Sequence, residues 1–159
     1  MSLRRAIARF PWWMHRWVYT RTGGRLGGRI VGMPVLLLTT RGHRSGRPHT
    51  VALTYLADAE NFVVVASNGG ARRDPDWYRN LRVHPEARVQ IHRRTVRVKV
   101  RDARDHERER LWLRAVKAYG GYAAYQQRTR RRIPVVVLEP DTRDPSPRSG
   151  EPLRTRGAC

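Results

Sequence analysis

Tyr119, Tyr122 and Tyr125 recur at every third position of "AYGGYAAYQQ". On a helix, that spacing holds three phenols within a sector about 120° wide. The phenols would either line a pocket, donating hydrogen bonds to an oxygen of a bound molecule and excluding water, or form an aromatic core stripe. Their small neighbours Gly120, Gly121, Ala123 and Ala124 argue for an accessible face. A second group of chemically active residues lies in "LLLTTRGHRSGRPHTVAL", where Arg41, His43, Arg44, Arg47 and His49 crowd a short loop between two apolar runs. That loop either stays in solvent or holds an anion. A third lies in "ASNGG", where Ser67 and Asn68 stand at a strand end and Gly69 and Gly70 let backbone N–H groups approach a planar ring or a phosphate.

Short strands must position these groups. "PVLLLTT" is an apolar run too brief for a helix, "TVALTYLA" alternates around Val51, Leu53 and Tyr55, and "NFVVVAS" is β-branched. "DAEN" at 58–61 is tight enough to make the second and third of these an antiparallel hairpin. "DPDWYRNLRVHP" predicts a short helix with Asp74 as N-cap and Pro75 at the first helical position. "ARVQIH" and "TVRVKVRDA" alternate on either side of "RR", a second hairpin connection. "RDHERERLWLRAVKAYGGYAAYQQRTRR" is helical with a break at Gly120 and Gly121, and "IPVVVLEP" is a last buried strand. Six strands joined mostly by hairpins predict a mainly β domain, a small antiparallel barrel with helices packed outside it. A doubly wound nucleotide fold is disfavoured, because strands and helices do not alternate and no glycine fingerprint follows the first strand. "GHRSG" is not a Walker motif either, since its glycines are too close together and no Lys-Ser/Thr pair follows.

With 159 residues, the chain has one domain's worth of core. Its 33 Lys+Arg against 13 Asp+Glu give a formal net charge of +20, ordinarily a sign of nucleic acid, acidic membrane or polyanionic ligand. All these cations but Lys99 and Lys117 are arginine, which GC-rich coding also produces, so placement carries more information than the sum. Cys159 is the only cysteine, which excludes an internal disulfide and a cysteine zinc cluster, and the six histidines show no metal-site spacing. No apolar run approaches the roughly 20 residues of a membrane span, and the expectation is a cytoplasmic protein without a signal peptide. Residues 1–31 stand apart: "RRAIARFPWWMHRWVYTRTGGRLGGRI" holds seven arginines and no acid, with an aromatic helical face. This segment either lies on a membrane surface or covers one end of the barrel, and "GGRLGG" links it to the domain at 32–140. Residues 141–159, rich in proline, glycine, serine and charge, read as a disordered tail.

Three stretches in this order, "LLLTTRGHRSGRPHTVAL", "VVVASNGGARRDPDWYRNL" and "AYGGYAAYQQRTRRRIPVVVLEP", resemble the deazaflavin-dependent nitroreductase and quinone reductase family, over about two-thirds of the chain, Leu36 to Pro140. The resemblance implies a split antiparallel β-barrel, related in shape to flavin mononucleotide (FMN)-binding oxidases. It also implies a coenzyme, deazaflavin F420, whose hydride passes to an electron-poor small molecule such as a quinone, a nitroaromatic or an unsaturated lactone. F420 carries a phosphodiester and a polyglutamate tail, which the cationic loop would cradle with Arg44 and Arg47, aided by backbone N–H groups around Gly42, Ser45 and Gly46. His43 and His49 stand where the family pattern is usually basic, and Asn68 where it often carries a cation.

The cofactor-binding positions so implied are His43, Arg44, Ser45, Gly46, Arg47, Pro48 and His49 in the loop, and Ala66, Ser67, Asn68, Gly69 and Gly70 in the turn. Trp77 is added as a pocket wall, and Tyr78 is either a further contact or helix core. Tyr119, Tyr122, Tyr125 and Ser67 are the catalytic candidates, Tyr122 or Ser67 orienting a proton toward the acceptor. Two rivals remain: an FMN-dependent enzyme of the same barrel shape, and a basic barrel that binds nucleic acid. Neither the oligomeric state nor the natural acceptor is legible.

Overall fold

The structure, a computed structural model, describes residues 29–141. The readings made for residues 1–28 and 142–159 lie outside the described residues. Strands β1 (Arg29–Ile30), β2 (Met33–Arg41), β3 (Pro48–Thr54), β4 (Leu56–Asp58) and β5 (Asn61–Val65) are followed by a short 3-10 turn at Asn68–Gly70 and helix α1 (Asp76–Val83). Strands β6 (Glu86–Ile91) and β7 (Arg94–Asp102), helices α2 (Asp105–Ala118) and α3 (Gly121–Gln127), and strand β8 (Val135–Pro140) complete the domain.

The apolar runs become strands buried on both faces. Val35, Leu36, Leu37 and Leu38 on β2 are each no more than 3% exposed, and Val135 to Leu138 on β8 no more than 1%. Val136 and Leu138 join Leu36, Leu38, Val64, Val89 and Val98 in one core, while Val135 and Val137 pack with Val63 and Leu111 in a second. This explains why these strands lack polar alternation: an inner face fills the barrel, and α2 covers the outer face of β5 and β8.

All strand pairings are antiparallel, in the order β1-β2-β6-β7-β8-β5-β4, with β3 on the other edge of β2. The predicted strand at 50–57 is divided at Tyr55, whose N–H donates to the Pro34 carbonyl at 3.0 Å as the last bond to β2, after which Leu56 turns to pair with β5. β3 therefore pairs with β2, and β4, its continuation, pairs with β5. The two ends of the sheet are halves of one bent chain segment, so the sheet rolls back on itself as a split barrel. The "DAEN" hairpin is present, with Asp58 opposite Asn61 and Ala59 at φ 53°, the left-handed first residue that two-residue hairpins favour.

Four expectations shift. Arg29 and Ile30, counted with the N-terminal segment, form β1 against Pro34 and Met33. The second hairpin turns on His92 and Arg93, because Ile91 pairs with Arg94. Pro75 is the N-cap of α1 and its carbonyl accepts the first helical bonds, while Asp74 is drawn away by an ion pair with Arg131. Not every helix lies outside the barrel. Trp77, Tyr78 and Leu81 of α1 belong to the same buried cluster as the inward residues of β2, β5, β6, β7 and β8, so α1 plugs the barrel.

Candidate active site

The cationic loop joins β2 to β3 and is folded by its own bonds. Gly42 N–H donates to the Arg47 carbonyl at 2.8 Å, and Gly46 N–H to the Gly42 carbonyl at 2.8 Å. These two amides are thus occupied within the loop, contrary to the expectation that they stand free for an anion. What the loop offers is its side chains: Arg44, Ser45, Arg47, Pro48 and His49 are exposed. Gly42 is required by space, since a Cβ there would lie 2.6 Å from Ser45 Oγ and 2.9 Å from the His49 ring.

His43 anchors the loop to α1. Its backbone N–H donates to Asn80 Oδ1 at 3.0 Å, and its Nδ1 lies 2.7 Å from the same oxygen. Asn80 Nδ2 donates to Thr40 Oγ1 at 3.0 Å, so this amide, only 3% exposed, is satisfied on both sides. The other ring nitrogen, His43 Nε2, is enclosed without a hydrogen-bond partner among the described residues. An unpaired polar atom beside exposed guanidinium groups fits a loop built to meet a polar ligand such as the F420 tail.

In the second motif, Ala66 is buried, Ser67 is half-buried, and Asn68 and Gly69 are exposed. Asn68, Gly69 and Gly70 take φ of 47°, 62° and 81°, three successive left-handed residues. Asparagine and glycine are the residues that tolerate this conformation. Gly70 is also held by close approach, since a Cβ on it would sit 2.7 Å from the Tyr125 carbonyl oxygen. The glycine turn therefore lies directly on α3, the helix that carries two of the tyrosines.

The tyrosines converge, though not on one helical face. Tyr119 lies in the break between α2 and α3, outside both helices. Its ring packs over Gly121, where a Cβ would clash with it. The three rings are mutually edge-on, with centroids 5.4 Å apart for Tyr119–Tyr122, 6.2 Å for Tyr119–Tyr125 and 6.3 Å for Tyr122–Tyr125. Tyr122 is 5% exposed, and its hydroxyl is 2.9 Å from Thr54 Oγ1 on β3. The half-buried Tyr119 and Tyr125 share a hydroxyl–hydroxyl bond of 3.2 Å. Burial pushes the Tyr122 phenol above its ordinary pKa, and the bond from Tyr119 does the same for Tyr125. All of this favours hydrogen-bond donation over proton release.

Trp77 is 6% exposed within the barrel core, its ring 6.0 Å from that of Tyr78. Tyr78 is 4% exposed and donates to Asp102 Oδ2 at 2.9 Å, with burial raising its pKa. Both sit with the core of α1. A separate cleft of about 480 Å³ borders Tyr78, Arg82, Arg101 and Asp102, and of the predicted site residues it contains Tyr78 alone. Its Arg101 is already engaged by Glu107 and Glu139.

Sequence reasoning missed two organising residues. Asn80 was detectable, being a polar residue on the face that Trp77 and Leu81 make apolar. Arg131 was not, hidden in the run Arg130–Arg132 beside Arg128. Its Nη2 donates to the carbonyls of Ala66 at 3.1 Å and Ser67 at 2.7 Å, its Nε to Ala71 at 2.9 Å, and its Nη1 to Asp74 at 2.8 Å.

Asn80 thus ties the cationic loop to α1, Arg131 ties the glycine turn to the end of α3, and only residues 71–75 separate that turn from α1. A split barrel with a cationic loop at one end of β3, and a phenol cluster with the glycine turn against its helix at the other, suits an extended cofactor such as a cofactor-dependent oxidoreductase holds. The family model for the F420H(2)-dependent quinone reductases matches residues 12–140. An F420H(2)-dependent quinone reductase of Mycobacterium tuberculosis is 39% identical over 129 residues, covering 79% of this chain and 87% of the relative. A solved F420-H2 dependent reductase is 37% identical with a TM-score of 0.61, covering 67% of this chain and 94% of the other. A further solved chain, described as a domain-swapped dimer, is 35% identical with a TM-score of 0.62, covering 78% of this chain and 98% of its own length. The chain belongs to the F420H(2)-dependent quinone reductase family and is an F420-dependent oxidoreductase.

Proposed function

We propose that Arg44 and Arg47 hold the phosphodiester and glutamate tail of F420, that the Ser67–Gly70 turn meets its ring system, and that the tyrosines wall the acceptor pocket. The contact that carries this reading is Gly70 on the backbone of Tyr125, which seats the turn against the helix that bears Tyr122 and Tyr125. When bound, reduced F420 supplies a hydride. The chain's own task is to hold the acceptor against it, to donate hydrogen bonds to the oxygen that gains charge, and to keep bulk water away.

Tyr119 and Tyr125, which retain partial exposure, donate to that oxygen, and the buried Tyr122–Thr54 pair fixes the wall behind them. Ser67, whose hydroxyl makes no capping bond to the turn, orients a proton or a water toward the acceptor. The acceptor is of quinone type, a reading that the family's name supports. Trp77 and Tyr78 act from within the core, shaping the barrel end beneath the site. Among the described residues no helix is long and apolar enough to cross a membrane. The working location is the cytoplasm, with residues 1–31 giving peripheral contact to an acidic membrane through arginine and aromatic side chains.

Parallel fluorescence titrations with oxidised F420 and with FMN test the cofactor assignment. The expected result is saturable quenching of F420 with at least tenfold weaker binding of FMN, and preference for FMN would overturn the assignment. Membrane contact predicts that the full chain floats with anionic vesicles but not with neutral ones. Loss of flotation on replacing Trp12, Trp13 and Trp17 by alanine would assign that contact to the segment.

A further inference from the structure

We infer that Arg131 is the positioning residue of the coenzyme site: its guanidinium orients the peptide planes of the 66–72 segment so that the amide N–H groups of Ser67 and Asn68 face the coenzyme. This rests on the reading that the turn meets F420. The side chain is 15% exposed and uses Nε, Nη1 and Nη2 on four acceptors drawn from both ends of the turn. In a planar trans peptide the C=O and the following N–H point in opposite directions. Drawing the Ala66 and Ser67 carbonyls toward Arg131 therefore turns the N–H groups of Ser67 and Asn68 away from it. Neither N–H donates a hydrogen bond to another described residue. Both are free to bond an electronegative atom of a ligand.

Charge is not the means. The Asp74 carboxylate, 2.8 Å away, neutralises the guanidinium locally, so Arg131 acts through the geometry of its fork. Glycine gives the turn at residues 69 and 70 no fixed conformation of its own, and Asn68 takes a left-handed φ of 47° that a non-glycine residue adopts at some cost, so a hold from outside the turn fixes its peptide planes. A lysine carries equal charge, yet its single nitrogen cannot span acceptors spread from residue 66 to residue 74.

The test compares the full-length wild type with Arg131→Lys, Arg131→Ala and Leu111→Ala, the last a core variant whose side chain packs with Val63, Val135 and Val137 in a cluster that includes none of residues 66–72. Each is first shown to be folded by thermal melting and then titrated with oxidised F420 at low and high salt. Absence of binding by the wild type would reject the coenzyme-site reading itself. With the wild type binding, we expect Arg131→Lys to bind at least tenfold more weakly with an unchanged salt dependence, and Leu111→Ala to bind within twofold of wild type below its melting transition. Methylguanidinium should restore part of the affinity to Arg131→Ala and none to Leu111→Ala. Binding by Arg131→Lys within twofold of wild type would overturn the inference. So would a flattened salt dependence, which would make Arg131 a direct contact for the anionic tail. Should Arg131→Ala fail to fold, the lysine variant and its salt dependence decide the matter alone.

Discussion

At the scale of single residues, Tyr122 separates catalysis from binding. Its hydroxyl bonds Thr54 and its ring supports Tyr119 and Tyr125, so Tyr122→Phe removes a hydrogen bond while keeping the packing. A neutral hydrogen bond contributes about 1 kcal/mol, and the expected outcome is a turnover reduced about fivefold with F420 affinity changed less than twofold. Steady-state kinetics beside a binding titration check this, and equal losses in both would remove Tyr122 from the catalytic wall. The pH profile offers a second check. Because the Tyr122 and Tyr125 phenols titrate above the ordinary tyrosine value, they stay protonated through neutrality. A phenol raised in the folded state favours the fold fully below its unfolded value, about 10, and that contribution is lost as pH rises toward the folded value. The activity profile should therefore show no alkaline limb from these phenols below about pH 10.

Between elements, glycines and ion pairs decide how the site-bearing segments meet. Gly121 leaves the space that the Tyr119 ring fills, so Gly121→Ala should expel that ring, lower stability by about 1–3 kcal/mol and abolish most turnover. Near-ultraviolet circular dichroism would report the displaced aromatic cluster. Helix α2 is fixed to β4 by Asp58, which meets Arg110 at 2.8 and 2.9 Å and Arg114 at 2.5 Å. The hydrogen bond from Arg110, with that from Arg114, holds the Asp58 carboxyl down to about 2. A depressed carboxylate stabilises the fold above its unfolded value, about 4, and that contribution disappears as pH falls through about 2. Asp58→Asn should cost on the order of 1 kcal/mol at neutral pH, after allowing for solvent screening of a partly exposed pair. It should also remove part of the acid sensitivity between about pH 4 and pH 2, read from melting temperature against pH.

For the whole molecule, a net charge of +20 makes electrostatics a property of the chain, but two exposed loop arginines should dominate binding of a polyanionic coenzyme. Affinity for F420 should fall as salt rises, since charges are screened within about 8–10 Å at physiological ionic strength, and Arg44→Gln with Arg47→Gln should flatten that dependence. A slope unchanged in the double variant would move the tail elsewhere. The barrel, its hairpins and the helix break at Gly120 and Gly121 were legible in the chain, because apolar runs, tight turns and glycine act over a few residues. So were the loop, the turn and the tyrosines as motifs. The division of one strand at Tyr55, the plugging of the barrel by α1, the occupied amides of Gly42 and Gly46, and the roles of Asn80 and Arg131 were not. Each depends on which distant backbone groups a residue meets, and Arg131 is distinguished from its arginine neighbours only by the four acceptors that the folded chain brings within its reach.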